Sequence, residues 1–223
     1  MPKRSWRRSK KPQKKIKVPQ ITALKIQKKD PSRVSLYLDG RFVFGLSRSL
    51  VSQANLVIGQ EISAQTVADL RGRSEEEKIL NLVYRFLSYR PRSEKEVSDY
   101  LTKKKISQKM IARVVVRLKN QGYLNDEEFA LWWLDQRQRF RPRSRYFLKS
   151  ELTRKGVGVE VVNRVLTNVD EEALIEKIIL DKKSRLIGLE PNKAKRKLVA
   201  YLSRRGFSWE KIRLGLEKSD LFD

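Results

Sequence analysis

The sequence predicts a mostly α-helical chain, with three tandem three-helix repeats preceded by a small β-rich N-terminal module and a disordered basic tail. Three observations carry that prediction. Beyond Leu70 the apolar pattern changes from period two to the i, i+3, i+4 spacing of amphipathic helices. The helical part repeats itself: Leu101-Thr-Lys-Lys-Lys-Ile106-Ser107, Leu152-Thr-Arg-Lys-Gly-Val157-Gly158 and Leu202-Ser-Arg-Arg-Gly-Phe207-Ser208 align at offsets of 51 and 50 residues, and Arg90-Pro-Arg-Ser93 aligns with Arg141-Pro-Arg-Ser144 at the same 51. The first 20 residues hold nine Lys or Arg, no acid and almost no apolar pattern, so they cannot bury a core. The expected divisions are a tail at 1–20, a β-rich module at 21–70 and repeats at 71–124, 125–169 and 170–223.

In the β-rich module, Ile21, Ala23, Leu24 and Ile26 lie among polar residues, and Val34, Leu36 and Leu38 recur at period two. Phe42, Phe44 and Leu46 do so after Asp39-Gly40, a pair that supplies the positive φ values of a two-residue hairpin turn. A short helix is expected over Ser47 to Ala54 and a return segment over Gly59 to Ile62. In the first repeat, Ser74 with Glu77 reads as a capping box ahead of Ile79, Leu80, Val83, Phe86 and Leu87, and Pro91 ends that helix. Ser93 with Glu96 caps a second helix running to about Lys104, and a third runs from Ser107 to about Asn120. The second repeat opens at Asn125, breaks at Pro142, and places Phe129, Trp133 and Phe140 on one packed face. The last opens at Asp170 and packs Leu174, Ile178 and Ile179, then Leu198 and Leu202, then Ile212 and Leu216.

Composition narrows the chemistry. The 223 residues contain no Cys and no His, which excludes disulfide scaffolds, thiolate zinc sites, imidazole-ligated metals and Ser-His or Cys-His nucleophiles. No phosphate-cradling glycine loop is present, so nucleotide hydrolysis is disfavoured. The longest run without a charge, Ser49 to Gln60, has 12 residues, too few to span a bilayer. A cytoplasmic monomer without cofactor, metal or membrane partner is the expectation. The net charge of +25 implies a polyanionic partner. Without the first 20 residues the remaining 42 basic residues still exceed the 26 acidic ones by 16, so the folded part is basic in its own right.

The basic residues recur in register. Arg90 and Arg92 stand with Lys103 and Lys104 in the first repeat, Arg137, Arg139, Arg141, Arg143 and Arg145 with Arg154 and Lys155 in the second, and Lys195, Arg196 and Lys197 with Arg204 and Arg205 in the third. Gln136 to Lys155 alone has eight basic residues and one acid. Those at helix C-termini oppose the helix dipole as readily as they contact a ligand. Arg141 and Arg143 flank a proline in a turn and point instead to an anion. The acidic runs Glu75–Glu77, Asp126–Glu128 and Asp170–Glu172 read as helix starts rather than acid, base or metal sites. Trp132 is the one aromatic of the second repeat that competes as a base-stacking platform.

The repeats resemble the RecX family of recombinase regulators. The match rests on Gly122-Tyr123-Leu124-Asn125-Asp126-Glu127-Glu128-Phe129-Ala130, supported by Arg92-Ser93-Glu94-Lys95-Glu96-Val97, by Ser150-Glu151-Leu152 before Lys155-Gly156-Val157, and by Arg204-Arg205-Gly206-Phe207-Ser208. Tyr37-Leu38-Asp39-Gly40 and Phe44-Gly45-Leu46 resemble the family's β extension, so the likeness covers about residues 21 to 218. It implies a non-enzymatic protein that binds the RecA filament on single-stranded DNA, with double-stranded DNA left open, and lowers filament extension, ATPase, strand exchange and coprotease activity. The family's second repeat departs from this chain at Arg141-Pro142-Arg143-Ser144-Arg145, and the basic tail lies outside its pattern. The rival expectations are a basic nucleic-acid-binding helical repeat protein with no recombinase partner, and an enzyme using Lys or carboxylates on nucleic acid.

Overall fold

The computed structural model describes residues 18–219. The basic stretch 1–17 lies outside the described residues. The chain divides into two compact units, one ending at Ile79 and one starting at Leu80.

The first unit is built on an antiparallel sheet of β1 (Ile21–Ile26), β2 (Arg33–Leu38) and β3 (Arg41–Ser47), in that order. Asp39 and Gly40 have φ of 48° and 79°, as their two-residue turn requires. Val34, Leu36 and Leu38 are buried as the alternation predicts. Phe42 is not: it is 58% exposed, and its ring meets Tyr37 at 5.8 Å. The reason is a register shift at Leu36/Tyr37, where Tyr37 pairs with Phe42 and Leu36 with Phe44, so Val43 is the extra residue and the strand beyond it changes face. The Ser47 hydroxyl accepts from Leu50 N–H to cap α1 (Arg48–Gln53), which brings Leu50 onto Ile21, Leu36 and Leu46. Before β1, Gln20 forms a bridge with Glu61, and the Pro19 carbonyl accepts from Ile62 N–H.

The expected capping box at Ser74 is absent, because α2 spans Ala64–Leu87 and starts ten residues earlier. Ser63 accepts from Thr66 N–H at its start, and no proline interrupts it. Ser74 is instead buried mid-helix, donating its hydroxyl to the Gly45 carbonyl at 2.7 Å. Glu75, Glu76 and Glu77 therefore lie inside α2, and the helix-start account fails for that run.

In the second unit the other helices follow as triplets: α3 (Glu94–Lys103) and α4 (Gln108–Asn120) complete the first; α5 (Asp126–Phe140), α6 (Arg145–Arg154) and α7 (Val159–Leu166) form the second; α8 (Glu171–Leu186), α9 (Pro191–Ser203) and α10 (Trp209–Glu217) form the third. Ser93, Ser107, Asn125, Ser144, Asp170 and Ser208 each cap a helix through the side chain. The second and third triplets share a core that includes Phe129, Leu148, Leu152, Ile175, Leu198 and Leu202. Trp132 and Trp133 pack against that core. Phe140, in the last turn of α5, does not join it and is 74% exposed.

Neighbouring triplets meet through one device used twice. The α3 cap Ser93 donates its hydroxyl to the Lys155 carbonyl at 2.6 Å, and the α6 cap Ser144 donates its backbone N–H to the Arg205 carbonyl at 3.0 Å. Next in chain come Gly156 and Gly206, both at φ of 84°. A Cβ at Gly156 would lie 2.4 Å from Lys95 Cβ, and one at Gly206 2.5 Å from Ser144 Oγ. A left-handed corner pressed against a neighbour admits only glycine. Lys105 holds the aligned corner of the first triplet at φ of 61°, with no triplet before it. Each joint is closed by an acid of the following triplet: Asp126 accepts from Glu94 N–H at 2.9 Å, and Glu171 from Arg145 N–H at 2.7 Å.

Candidate nucleic-acid interface

The joints gather most of the basic residues that recur in the sequence, and the two joints differ in how that charge is met. At the first, between α3 and the end of α6, Arg90 donates through both terminal nitrogens to Glu96 at 2.9 Å. Lys155 donates to the same carboxylate. Burial raises the Glu96 carboxyl, but the hydrogen bonds from Arg90 and Lys155 outweigh it and hold the group below the ordinary glutamate range. Arg137 donates to Glu151 at 2.7 Å and sits 4.5 Å from the Trp133 ring centre, while Trp133 donates its indole N–H to Glu151 at 2.8 Å. Lys155 lies 4.9 Å from that ring, and Arg90 is 5.5 Å from Trp132. Glu96, Trp133, Arg137, Glu151 and Lys155 line an open cleft of about 700 Å³ with Phe86, Lys95, Tyr100, Lys103 and Arg154. Arg92, over Phe86 at 4.0 Å, has a buried Nε without a partner, and burial followed by the Arg90 charge lowers its pKa.

The second joint lacks the carboxylate. Position 147, aligned with Glu96 at the offset of 51, is Phe147. Arg143 lies 5.5 Å from the Phe147 ring, with its Nε 3.9 Å from Glu151, beyond a hydrogen bond. Arg205 lies 3.7 Å from the Tyr201 ring and has a buried Nε with no hydrogen-bond partner. Burial lowers the Arg205 pKa; Tyr201 opposes that, while the charges of Arg143, Arg204 and Arg141 add to it. Four guanidinium groups from the α5–α6 turn and the end of α9 thus share one locality. Arg141 and Arg204 are exposed and have no salt-bridge partner among the described residues. The turn keeps the geometry of its counterpart, since Ser144 has φ −64° and ψ 159° against −73° and 160° at Ser93.

Other basic residues are placed otherwise. Arg145 donates to the Val169 carbonyl at 2.8 Å through Nε, which makes it a tie between α6 and the loop ahead of α8. Arg139 pairs with Asp135 at 2.7 Å on the α5 surface, and Arg154 donates to the Ser150 carbonyl at 3.3 Å. Lys104 lies 5.8 Å from the Tyr100 ring, Lys103 is exposed at the cleft, and Lys195, Arg196 and Lys197 are exposed on α9. The residues that counting charges overlooks are Glu96, Glu151, Phe147 and Tyr201. Aligning Glu96 with Phe147 at the repeat offset would have exposed the difference between the joints.

Comparison with known proteins agrees with the architecture. Residues 19–63 match the family model described as regulatory protein RecX N-terminal domain, and residues 80–118, 125–166 and 170–214 match the first, second and third RecX three-helix domains. A protein named Regulatory protein RecX from Bacillus pumilus (strain SAFR-032) is 29% identical over 206 residues, covering 91% of this chain and 78% of that protein. One of the same name from Bacillus subtilis (strain 168) is 30% identical over 208 residues, covering 90% and 77%. A crystal structure of regulatory protein RecX superposes with a TM-score of 0.70 at 20% identity, over 90% of this chain and 100% of that one. That of RecX from Lactobacillus salivarius gives 0.57 at 22%, over 66% and 97%. No helix among the described residues is long and apolar enough to cross a membrane.

Proposed function

The chain belongs to the RecX family of regulatory proteins, and from that premise we propose that it regulates the RecA recombinase. It binds the RecA filament on single-stranded DNA and inhibits filament extension, and with it the filament's work in homologous recombination, DNA repair and the SOS response. It acts by occupancy, without chemistry of its own. The observation that carries this reading is the array itself, three-helix units joined in register by a cap serine set on the corner of the next unit, with exposed arginines at the second of those joints. A row of similar units engages a polymer several times at once, so modest contacts add up to tight binding. The cytoplasm, where RecA filaments form, is its proposed compartment, and a monomer its proposed state.

The test is the DNA-stimulated ATPase rate of preassembled RecA filaments, titrated with this protein at two salt concentrations beside a charge-matched basic DNA-binding protein. Inhibition at well under one molecule per RecA, retained at the higher salt where the control has lost its effect, is expected. Equal behaviour of both proteins, vanishing together with salt, would replace this reading by that of a nucleic-acid binder with no recombinase partner.

A further inference from the structure

At the first joint Glu96 joins Arg90 and Lys155, though Arg92 keeps an unpartnered Nε; at the second, Glu151 stands 3.9 Å from Arg143, and among the described residues no carboxylate pairs with Arg141, Arg204 or Arg205. Arg90 and Lys155 share Glu96, whereas the aligned place beside Arg141 and Arg205 holds Phe147. The two cap serines have closely similar backbone angles and each donates to a corner carbonyl, through the hydroxyl at the first joint and the backbone N–H at the second, and in that shared frame the position of Glu96 is taken by Phe147. The three guanidinium groups there without a carboxylate, those of Arg141, Arg204 and Arg205, repel one another unless an anion joins them.

Two exposed aromatic residues bound the same turn. Phe140, immediately before Arg141, and Tyr146, immediately after Arg145, are each 74% exposed. A single-stranded nucleic acid offers a phosphate and an unpaired base in regular alternation, which suits guanidinium groups flanked by exposed rings, whereas a folded acidic protein surface has no such alternation. We propose that the second joint is a phosphate-binding site for single-stranded nucleic acid, in which Arg141, Arg143, Arg204 and Arg205 hold backbone phosphates and Phe140 and Tyr146 stack bases. The first joint serves as structural glue. This site rests on the proposed function only for its setting in a DNA filament, and its test needs no RecA.

The experiment measures binding of the full-length protein to a fluorescein-labelled oligothymidylate by anisotropy across a salt series. Arg141→Gln with Arg204→Gln alters two exposed residues and removes two phosphate contacts. The log–log salt slope is then shallower by about 1.4, equivalent to wild type losing about sevenfold more affinity than the variant over a fourfold rise in salt. Phe147→Glu, which supplies the carboxylate found at the first joint, moves the slope the same way. Arg90→Gln, at the first joint, leaves it unchanged. Phe140→Ala with Tyr146→Ala keeps the slope and lowers affinity by about fivefold or more per lost stack.

An unaltered slope in the Arg141/Arg204 variant overturns the site, as does an equal loss in Arg90→Gln, which would mean that only the overall field matters. If that variant keeps its DNA slope but fails to inhibit RecA filaments, the anion is a protein carboxylate and the proposal falls while the RecA reading stands. An equal affinity loss for duplex DNA on removing Phe140 and Tyr146 overturns stacking on unpaired bases.

Discussion

Replacing Gly156 by Ala tests the joint that orders the repeats. Gly156 has φ of 84°, where an L side chain is strained by about 1–2 kcal/mol. Its Cβ would fall 2.4 Å from Lys95 Cβ, an atom fixed to the α3 backbone that cannot swing aside. The corner or the helix must move, and overpacking of that kind costs a further ~1–3 kcal/mol. Movement also stretches the 2.6 Å bond from Ser93 to the Lys155 carbonyl, worth about 1 kcal/mol. The sum is a destabilisation of roughly 3–6 kcal/mol. Gly188 provides the control: its φ is 83°, with nothing within 4 Å of a built Cβ, so Gly188→Ala carries only the backbone strain of about 1–2 kcal/mol. Urea unfolding of the full chain, followed by far-ultraviolet circular dichroism, compares the two midpoints at constant slope. Equal losses in the two variants would refute the claim that the close approach, rather than the left-handed backbone alone, requires glycine at the corner.

Glu96 sets the acid limb of stability. Its folded pKa lies below the unfolded one, because the hydrogen bonds from Arg90 and Lys155 outweigh burial, so its contribution is complete above the unfolded carboxylate range and is lost as pH falls through the folded value. The stability gap between wild type and Glu96→Gln should shrink on acidification below about pH 4; a gap independent of pH would contradict this. Asp126 has the opposite sign, since burial raises its pKa, and its ionised form costs stability as pH rises through the ordinary aspartate range. Asp126→Asn keeps an acceptor for Glu94 N–H and should be no less stable than wild type at neutral pH, which thermal unfolding checks. Ser93→Ala loses a cap and a donor to Lys155 and should cost about 2 kcal/mol, against about 1 kcal/mol or less for Ser107→Ala, which loses only a cap; equal costs in denaturant would remove the joint from the explanation. Deleting residues 1–17, and not 18–20, which are tied to Gly59–Ile62 by Gln20 and Pro19, should lower salt-sensitive DNA affinity and leave RecA inhibition mostly intact; lost inhibition in the ATPase assay would relocate the functional surface.

The triplets were legible because their signals are local: a serine or asparagine cap, an apolar stripe and a breaking proline each act over four or five residues. Asp39-Gly40 was legible for the same reason. What escaped depends on tertiary pairing. Ser74 looks like a cap in sequence, yet its hydroxyl is spent on Gly45, 29 residues away. Phe42 follows the alternation until a bulge set by pairing with β2 reverses its face. At the candidate site, counting Lys and Arg locates the basic turns but not their partners, since Glu96 meets Lys155 across 59 residues and Glu151 meets Arg137 across 14. Charge is read from composition, whereas neutralisation depends on which side chains the fold brings together.

The recurring corner gives the array a direction. α3 and α6 each seat the cap on the corner of the triplet that follows, and the leading corner, at Lys105, receives no earlier triplet. Length in such an array is quantised. A duplicated second triplet would offer Ser144 the same Lys155-Gly156 corner that Ser93 already uses and would enter as a whole cassette, whereas an insertion of half a triplet would leave a cap facing the middle of a helix. The molecule therefore behaves as a ruler whose divisions are single triplets, and its reach along a polymer changes by the addition or loss of one division at a time.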